Sequence, residues 1–376
     1  MTRIGADERT KILVVDDSAT SRQAVRRIVE AAPQCEVAGT ATNGREAITC
    51  LMRLKPDVVL LDIEMPEMDG FAFLRWMLAN EPVPVIVVSS RTDSASVFRC
   101  LDLGAVDFVA KPFSDSTEQW NAMARDLVMK LAAITEIGME KVKRRIALTA
   151  ETARLRLPEP SSASTVVEAV AIGASTGGPS ALQMILSSFP ADFAPAILVS
   201  QHMPPGFTKS FADRLNKICA MRIAEADDGD LVEPGRVYIA PGDRNIALLR
   251  LGDSVVLKLL TPPSSNLYVP SVDVMMAHAA RAYGSRVVGV LLTGMGNDGS
   301  AGMLEIMNKG GYTIAESEET AVVFGMPRQA IATGSVKKVL PLEEIPKEIL
   351  RYCRTAAMKT NMGKSASNRF YDGGYG

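Results

Sequence analysis

From Lys11 onward, short apolar runs alternate with segments of helical period. Ile12 to Val15 precedes Ser21 to Ala32, Glu36 to Ala41 precedes Gly44 to Leu54, Val58 to Leu61 precedes Phe71 to Leu78, and Val85 to Val88 precedes Ser94 to Leu103. Continuous aliphatic runs are the pattern of strands buried on both faces, and an intervening helix is the connection that parallel strands need. The chain is therefore expected to begin with βαβ units on a parallel sheet. A fifth run, Ala105 to Ala110, stops at Lys111-Pro112, where proline removes a ladder donor.

A long helical pattern follows, from about Ser116 to Ala153, and gives way to the Pro/Ser-rich stretch Leu157 to Ser164. This reads as an interdomain linker. Its basic cluster, Lys141, Lys143, Arg144 and Arg145, is expected to be a solvated helix face. A second α/β series has strands at Val166 to Gly173, Ala196 to Ser200, Arg236 to Ala240 and Val287 to Leu292. Its helices are Gly178 to Ser188, Asp273 to Tyr283 and Ser300 to Asn308. Residues past about Thr355 lack periodicity and are expected to form a disordered tail. The expected divisions are 10–130, a linker at 131–164, 165–355, and a tail at 356–376.

Composition limits the function classes. A chain of 376 residues, 47% hydrophobic, can build two ordinary cores. A formal charge of -2 supplies no global basic field, so nucleic acid is not an expected partner. Cys35, Cys50, Cys100, Cys219 and Cys353 are scattered singly, which indicates neither a disulfide framework nor a zinc site and fits a reducing compartment. Met1 to Thr10 is polar and charged, and no run approaches the roughly 18 apolar residues that span a bilayer. The protein is expected to be cytoplasmic, without membrane insertion.

Asp16 and Asp17 lie at the carboxyl end of the first strand and Asp62 at the end of the third. In an open parallel sheet these ends meet at the crevice where ligands bind. Three carboxylates there repel one another, which favours a raised pKa or a divalent cation, and magnesium is the natural occupant. Ser89 and Lys111 end the fourth and fifth strands, bringing a hydroxyl donor and a cation that can bind phosphoryl oxygens. Any one of these aspartates alone reads better as a helix cap or loop start.

The joint pattern resembles the response-regulator receiver family, a doubly wound flavodoxin-like α/β fold, over roughly residues 10 to 130. It comprises Val15-Asp16-Asp17-Ser18, Asp62 ahead of Met65-Pro66-Glu67-Met68-Asp69-Gly70, then Ser89, Phe108 and Lys111-Pro112. The resemblance implies that Asp62 is phosphorylated, that Asp16, Asp17 and Asp62 hold Mg2+, and that Ser89 and Lys111 contact the phosphoryl group. Phe108 would be the aromatic whose rotamer follows Ser89. The implied phosphodonor is a phosphohistidine on a histidine kinase.

In the second series, Gly173-Ala174-Ser175-Thr176-Gly177-Gly178 follows a strand and precedes a helix. As G-x-S-x-G it can form a sharp turn that exposes the serine hydroxyl. A Gly-rich turn of this kind can equally cradle a nucleotide phosphate, although Ser175 replaces the middle glycine of the dinucleotide fingerprint. Asp192, at about the spacing of a ribose-gripping acid, precedes the next strand instead of ending it. A serine nucleophile needs a base. Of the two histidines, His202 sits just past a strand on the same sheet edge, whereas His278 lies mid-helix and reads as a packing residue. Asp298 follows the strongest buried-strand signal and is the candidate third member, with the N-cap of the helix beginning near Ser300 as its competing role.

These stretches, with Pro270-Ser271-Val272-Asp273 between them, closely resemble the chemotaxis protein-glutamate methylesterase family, CheB, from about Val166 to Cys353. The order, receiver then α/β parallel-sheet methylesterase domain, matches as well. The resemblance implies Ser175 as nucleophile, His202 as general base, Asp298 as the residue orienting the histidine, and the Met295 amide as an oxyanion contributor. It also implies phosphorylation-regulated hydrolysis of glutamate methyl esters on methyl-accepting chemoreceptors, with deamidation of selected glutamines and a chemotaxis histidine kinase as phosphodonor. No cofactor is expected in the catalytic domain.

Overall fold

The computed structural model describes residues 9–90, 94–112, 116–134, 167–263 and 268–354. The N-terminal unit is a five-stranded parallel sheet. Its strands are β1 (Thr10–Val15), β2 (Cys35–Ala41), β3 (Val58–Leu61), β4 (Val85–Ser90) and β5 (Asp107–Lys111), in the order β2-β1-β3-β4-β5. The helices between them are α1 (Ala19–Glu30), α2 (Gly44–Leu54), α3 (Gly70–Asn80) and α4 (Ser94–Leu103), with α5 (Thr117–Ile134) after the last strand. All four residues of β3 are buried, and Ile12 to Val15 are at most 1% exposed, as strands covered on both faces require. Side-chain oxygens of Ser18, Asn43 and Asp69 accept the early amides of α1, α2 and α3 and so fix where each begins.

The C-terminal unit is a seven-stranded sheet, parallel at every pairing, in the order β14-β13-β12-β6-β7-β9-β8. Its strands are β6 (Ala169–Ala174), β7 (Ala196–Gln201), β8 (Arg222–Glu225), β9 (Arg236–Ile239), β12 (Val287–Leu291), β13 (Tyr312–Glu316) and β14 (Lys338–Leu340). The strands β10 (Asn245–Leu251) and β11 (Ser254–Leu260) form a separate antiparallel hairpin. The helices are α6 (Gly178–Ser187), α7 (Phe207–Ile218), α8 (Val272–Tyr283), α9 (Ser300–Asn308) and α10 (Met326–Ala332), and a last one, α11, spans 345–354. β6 lies between β7 and β12, so the chain leaves β6 in one direction and later returns on its other side. Such a reversal opens a crevice at the carboxyl ends of the strands.

The two units meet through aromatic rings. Phe98 of α4 stacks on Phe211 of α7 at 5.3 Å, and Phe108 of β5 packs on Phe207 at 4.6 Å. Polar contacts rim this patch: Ser94 Oγ bonds Ser210 Oγ at 2.8 Å, and Arg214 pairs with Asp102. Phe98, Phe108, Phe207 and Phe211 are all at most 3% exposed, so one apolar cluster runs from the first unit into the second.

Most expected elements are present with shifted ends. The fifth strand runs Asp107–Lys111, starting two residues and ending one residue later than expected, with Val106 already bonded to Val85 O just ahead of it. Helix α7, strand β8, the β10–β11 hairpin and the elements after Asn308 are present in addition to those the periodicity predicts. The expected linker past Ile134, with its basic cluster, and the expected tail lie outside the described residues.

Candidate active site

Ser175, His202 and Asp298 each follow one of three adjacent central strands, β6, β7 and β12. The last register pair of β6 and β7 is Ala174 with Gln201, so Ser175 and His202 leave the ladder side by side. His202 Nδ1 is 3.1 Å from Ser175 Oγ, and His202 Nε2 is 2.8 Å from Asp298 Oδ2. An ionised Asp298 accepts from Nε2–H, which leaves Nδ1 bare to accept the serine proton. The imidazole thus works through the opposite ring nitrogens from those of the chymotrypsin-type arrangement.

Asp298 does not cap the helix that follows it, whose N-cap is Gly299. It sits instead at the start of α8. Its Oδ2 accepts from the Val272 amide at 2.7 Å, and its Oδ1 accepts from the Asp273 amide at 2.9 Å and from Ser271 Oγ at 3.1 Å. Burial by itself would raise this carboxyl. The His202 hydrogen bond and charge, with the Asp273 and Val272 amides, outweigh burial and hold it below the ordinary carboxylate value. Ser271 Oγ in turn accepts from the Val274 amide, and Ser271 N–H donates to Asn245 Oδ1 at 2.7 Å.

Two further features are not visible in local sequence. The Tyr268 ring stacks on His202 with centroids 4.8 Å apart and planes 10° from parallel, covering one face of the imidazole. Beneath the serine turn, Thr293 Oγ1 donates to Thr176 O at 2.8 Å and accepts from Val323 N at 2.9 Å. The Thr293 amide donates to the fully buried Glu316 at 2.8 Å. Gly294 is needed here, because a Cβ on it would lie 2.7 Å from Ser175 Cβ. Met295 follows Gly294 in the chain. His278 is on α8, half-buried, and bonds to the Leu248 backbone of the hairpin.

In the N-terminal unit, carboxylate oxygens of Asp16, Asp17 and Asp62 lie within 4.8 Å of one another. Lys111 Nζ is 2.9 Å from Asp16 Oδ2 and 2.5 Å from Asp62 Oδ2. Burial raises the Asp62 carboxyl and Asp16 adds to the effect, with Lys111 working against both. Burial would lower Lys111, but the two carboxylates outweigh it and push the ammonium up. An oxygen-only donor set of this charge suits a hard divalent cation such as Mg2+. Ser89 is buried near the carboxyl end of β4, Phe108 is buried near the start of β5 where it pairs with Val87, and Ser90 and Lys111 are register partners at the carboxyl ends of the two strands. Lys130, itself buried, donates to Phe108 O and pairs with Asp107 and Asp126 behind the ring.

Among the described residues, no helix is long and apolar enough to cross a membrane. Residues 170–349 match the family model of the CheB methylesterase, and residues 12–119 match that of the response regulator receiver domain. The chain is 46% identical over 365 residues to protein-glutamate methylesterase/protein-glutamine glutaminase 3 of Geobacter sulfurreducens, covering 92% of this chain and 98% of that one. It is 39% identical over 358 residues to the protein of the same name, without the numeral, from Pyrococcus horikoshii, covering 95% and 97%. The crystal structure of the Thermotoga maritima CheB methylesterase catalytic domain is 44% identical, with a TM-score of 0.48, and covers 49% of this chain and 98% of its own. With relatives of this identity spanning nearly its whole length, and a receiver ahead of the catalytic domain, this chain belongs to the CheB methylesterase family.

Proposed function

We propose that this protein hydrolyses glutamate γ-methyl esters on chemoreceptors, and deamidates selected glutamines, under control of phosphorylation at Asp62. The observation that carries the reading is the unbroken chain Ser175 Oγ, His202 and Asp298, at 3.1 and 2.8 Å. Ser175 Oγ attacks the ester carbonyl while His202 Nδ1 takes its proton, and the imidazolium is stabilised by Asp298. The proton passes to the departing methoxide, which leaves as methanol. Water, deprotonated by His202, then attacks the acyl-serine, and the proton returns to Ser175 as free glutamate leaves. The Met295 amide supports the oxyanion of both tetrahedral states. A glutamine side chain follows the same course with ammonia as the leaving group.

The receiver, 10–130, joins the catalytic domain, 165–355, through the linker 131–164, with 356–376 as a tail. Asp16, Asp17 and Asp62 would hold Mg2+, which neutralises charge as a phosphoryl group arrives from a histidine kinase. Lys111 and Ser89 hold the phosphoryl oxygens, and Phe108 follows Ser89. The cytoplasm is the compartment in which a kinase and the receptors' cytoplasmic glutamates are both met.

The test is methanol release from methylated chemoreceptor membranes by the full-length protein, with Ser175→Ala alongside. Release by the wild-type chain and none by the variant is expected. A folded wild-type chain that labels with a serine-reactive phosphonate but releases no methanol would place its ester substrate elsewhere.

A further inference from the structure

Gln201 is the last residue of β7, 2% exposed, and its carboxamide reaches across the sheet edge. Its Nε2 donates to Ser175 O at 2.9 Å and to His202 O at 3.0 Å. These carbonyls belong to the two residues that have just left the paired strands, and His202 N–H donates back to Ala174 O at 3.1 Å. The orientation of the amide is fixed by chemistry. Turned over, its oxygen would face two carbonyl oxygens, a repulsive arrangement, whereas an NH2 group has two donors to offer.

The other end of the amide is informative too. Gln201 Oε1 is buried with no hydrogen-bond partner, and it occupies the space where a side chain on Gly178 would begin, 2.0 Å from a Cβ built there. Gly178 starts α6 and its amide donates to Ser175 O at 2.7 Å. Ser175 O is therefore held by two donors, one from the helix start and one from Gln201. The second also holds His202. An unpaired buried polar atom calls for an explanation, and a role in catalysis is one that fits a carboxamide whose other end holds both Ser175 and His202.

We propose that Gln201 is a positioning residue of the esterase, a clamp that ties the Ser175 backbone to the His202 backbone and so sets the Oγ to Nδ1 separation. The proposal rests on the reading of Ser175 and His202 as nucleophile and base. A displacement of a fraction of an ångström between them acts on the proton transfer in the transition state and leaves substrate docking untouched. The loss should therefore fall on kcat.

The test uses full-length protein, phosphorylated with a small phosphodonor, carrying Gln201→Met, which keeps the length and loses both donors. Methanol release should show kcat lower by about 10- to 100-fold with KM within about threefold, and labelling by a fluorophosphonate probe should slow by a similar factor. Gly178→Ala, which displaces the carboxamide without removing it, should give the same kcat-specific loss. The double variant should be no worse than the poorer single, because both act through one contact. A folded Gln201→Met protein with kcat within about threefold of wild type, or a loss confined to KM, overturns the clamp. If Gln201→Met does not fold, a normal kcat for Gly178→Ala overturns it. Ser175→Ala is measured beside them: activity surviving there overturns the triad itself, whereas a dead Ser175→Ala with an unaffected Gln201→Met overturns only the clamp.

Discussion

The carboxylates of Asp298 and Asp273 each hold backbone amides at the start of the other's helix. The Asp298 carboxylate takes the Asp273 amide at 2.9 Å, while the Asp273 carboxylate takes the amides of Gly299 and Gly302 at 2.9 and 2.7 Å. Each aspartate caps the other's helix, and the turn that carries Asp298 is fixed from both sides. Burial pushes the Asp273 carboxyl up, as does the charge of Asp298, with the Gly302 amide opposing. Asp273→Ala should destabilise the protein by about 1–2 kcal/mol, as lost caps do, and should also lower kcat. Asp273→Asn keeps an acceptor for the amides and should be milder in both. Equal damage from the two substitutions, read by urea denaturation and methanol release, would show that the carboxylate charge matters more than the cap.

Ser175→Ala removes one hydroxyl from a half-buried turn and should leave the fold intact. The expected fall in kcat is on the order of 10⁴-fold or more, because triad members act as a unit. His202→Gln should match it. Activity within about tenfold of wild type for either folded variant is incompatible with the assigned roles.

The central strands were the legible part of this chain, because burial on both faces leaves continuous runs such as Val58 to Leu61 and Val287 to Leu291. The carboxyl-end rule then brought Ser175, His202 and Asp298 to one edge. Helix α7 and the hairpin carry local signals too, an amphipathic stretch and the two-residue turn Gly252-Asp253. Asp273, Gln201 and Tyr268 are different. These contacts join residues 25 or more apart, through backbone groups for Asp273 and Gln201 and through ring stacking for Tyr268, so periodicity cannot predict them. Asp298 is the instructive intermediate: its position was readable, but which helix it caps depends on the packing of α8 against α9.

His278 gives a pH prediction with a defined sign. Burial chiefly pushes its imidazole below the ordinary 6.5; the Leu248 backbone opposes this, and the Arg281 charge adds to it. The unfolded chain therefore binds this proton at higher pH than the folded one. Stability is complete above the unfolded value and declines as pH falls through it, until the folded group is protonated as well. His278→Gln should shrink the drop in melting temperature between about pH 7.5 and about pH 5.5 while leaving turnover near wild type. An unchanged drop assigns the acid sensitivity to other groups.

Asp62 should take up phosphate from a small phosphodonor with Mg2+ present, giving an adduct stable in acid and labile in base. Lys111 already lies against Asp62 and Asp16, so the cation awaits the incoming oxygens without a large movement. Asp62→Asn should abolish labelling. A stoichiometric label that persists on Asp62→Asn moves the acceptor to another residue.

The interface between the two units should restrain the unphosphorylated enzyme. Phe108, on β5 three residues before Lys111, packs directly on Phe207 at the start of α7, and Phe98 stacks on Phe211 one turn further along. Lys130 holds the Phe108 carbonyl, so a signal from Asp62 and Ser89 must move the ring and not the strand. Turning that ring takes apolar contact away from Phe207 and favours separation. The ion pair Arg214 to Asp102 lies at the edge of this patch and is partly exposed, worth about 0–1 kcal/mol as a pair. Reversal is a stronger perturbation than deletion, because it sets like charges against each other. Arg214→Glu should raise methanol release by unphosphorylated protein about 5- to 150-fold, the range of an ordinary allosteric coupling, and reduce the further gain from phosphodonor. Asp102→Arg alone should do the same. The double reversal restores an attractive pair and should return basal activity toward wild type. A catalytic fragment beginning near Ser161 should resemble the phosphorylated chain more than the resting one. If Arg214→Glu is folded and its basal rate is unchanged, this patch does not hold the enzyme in check.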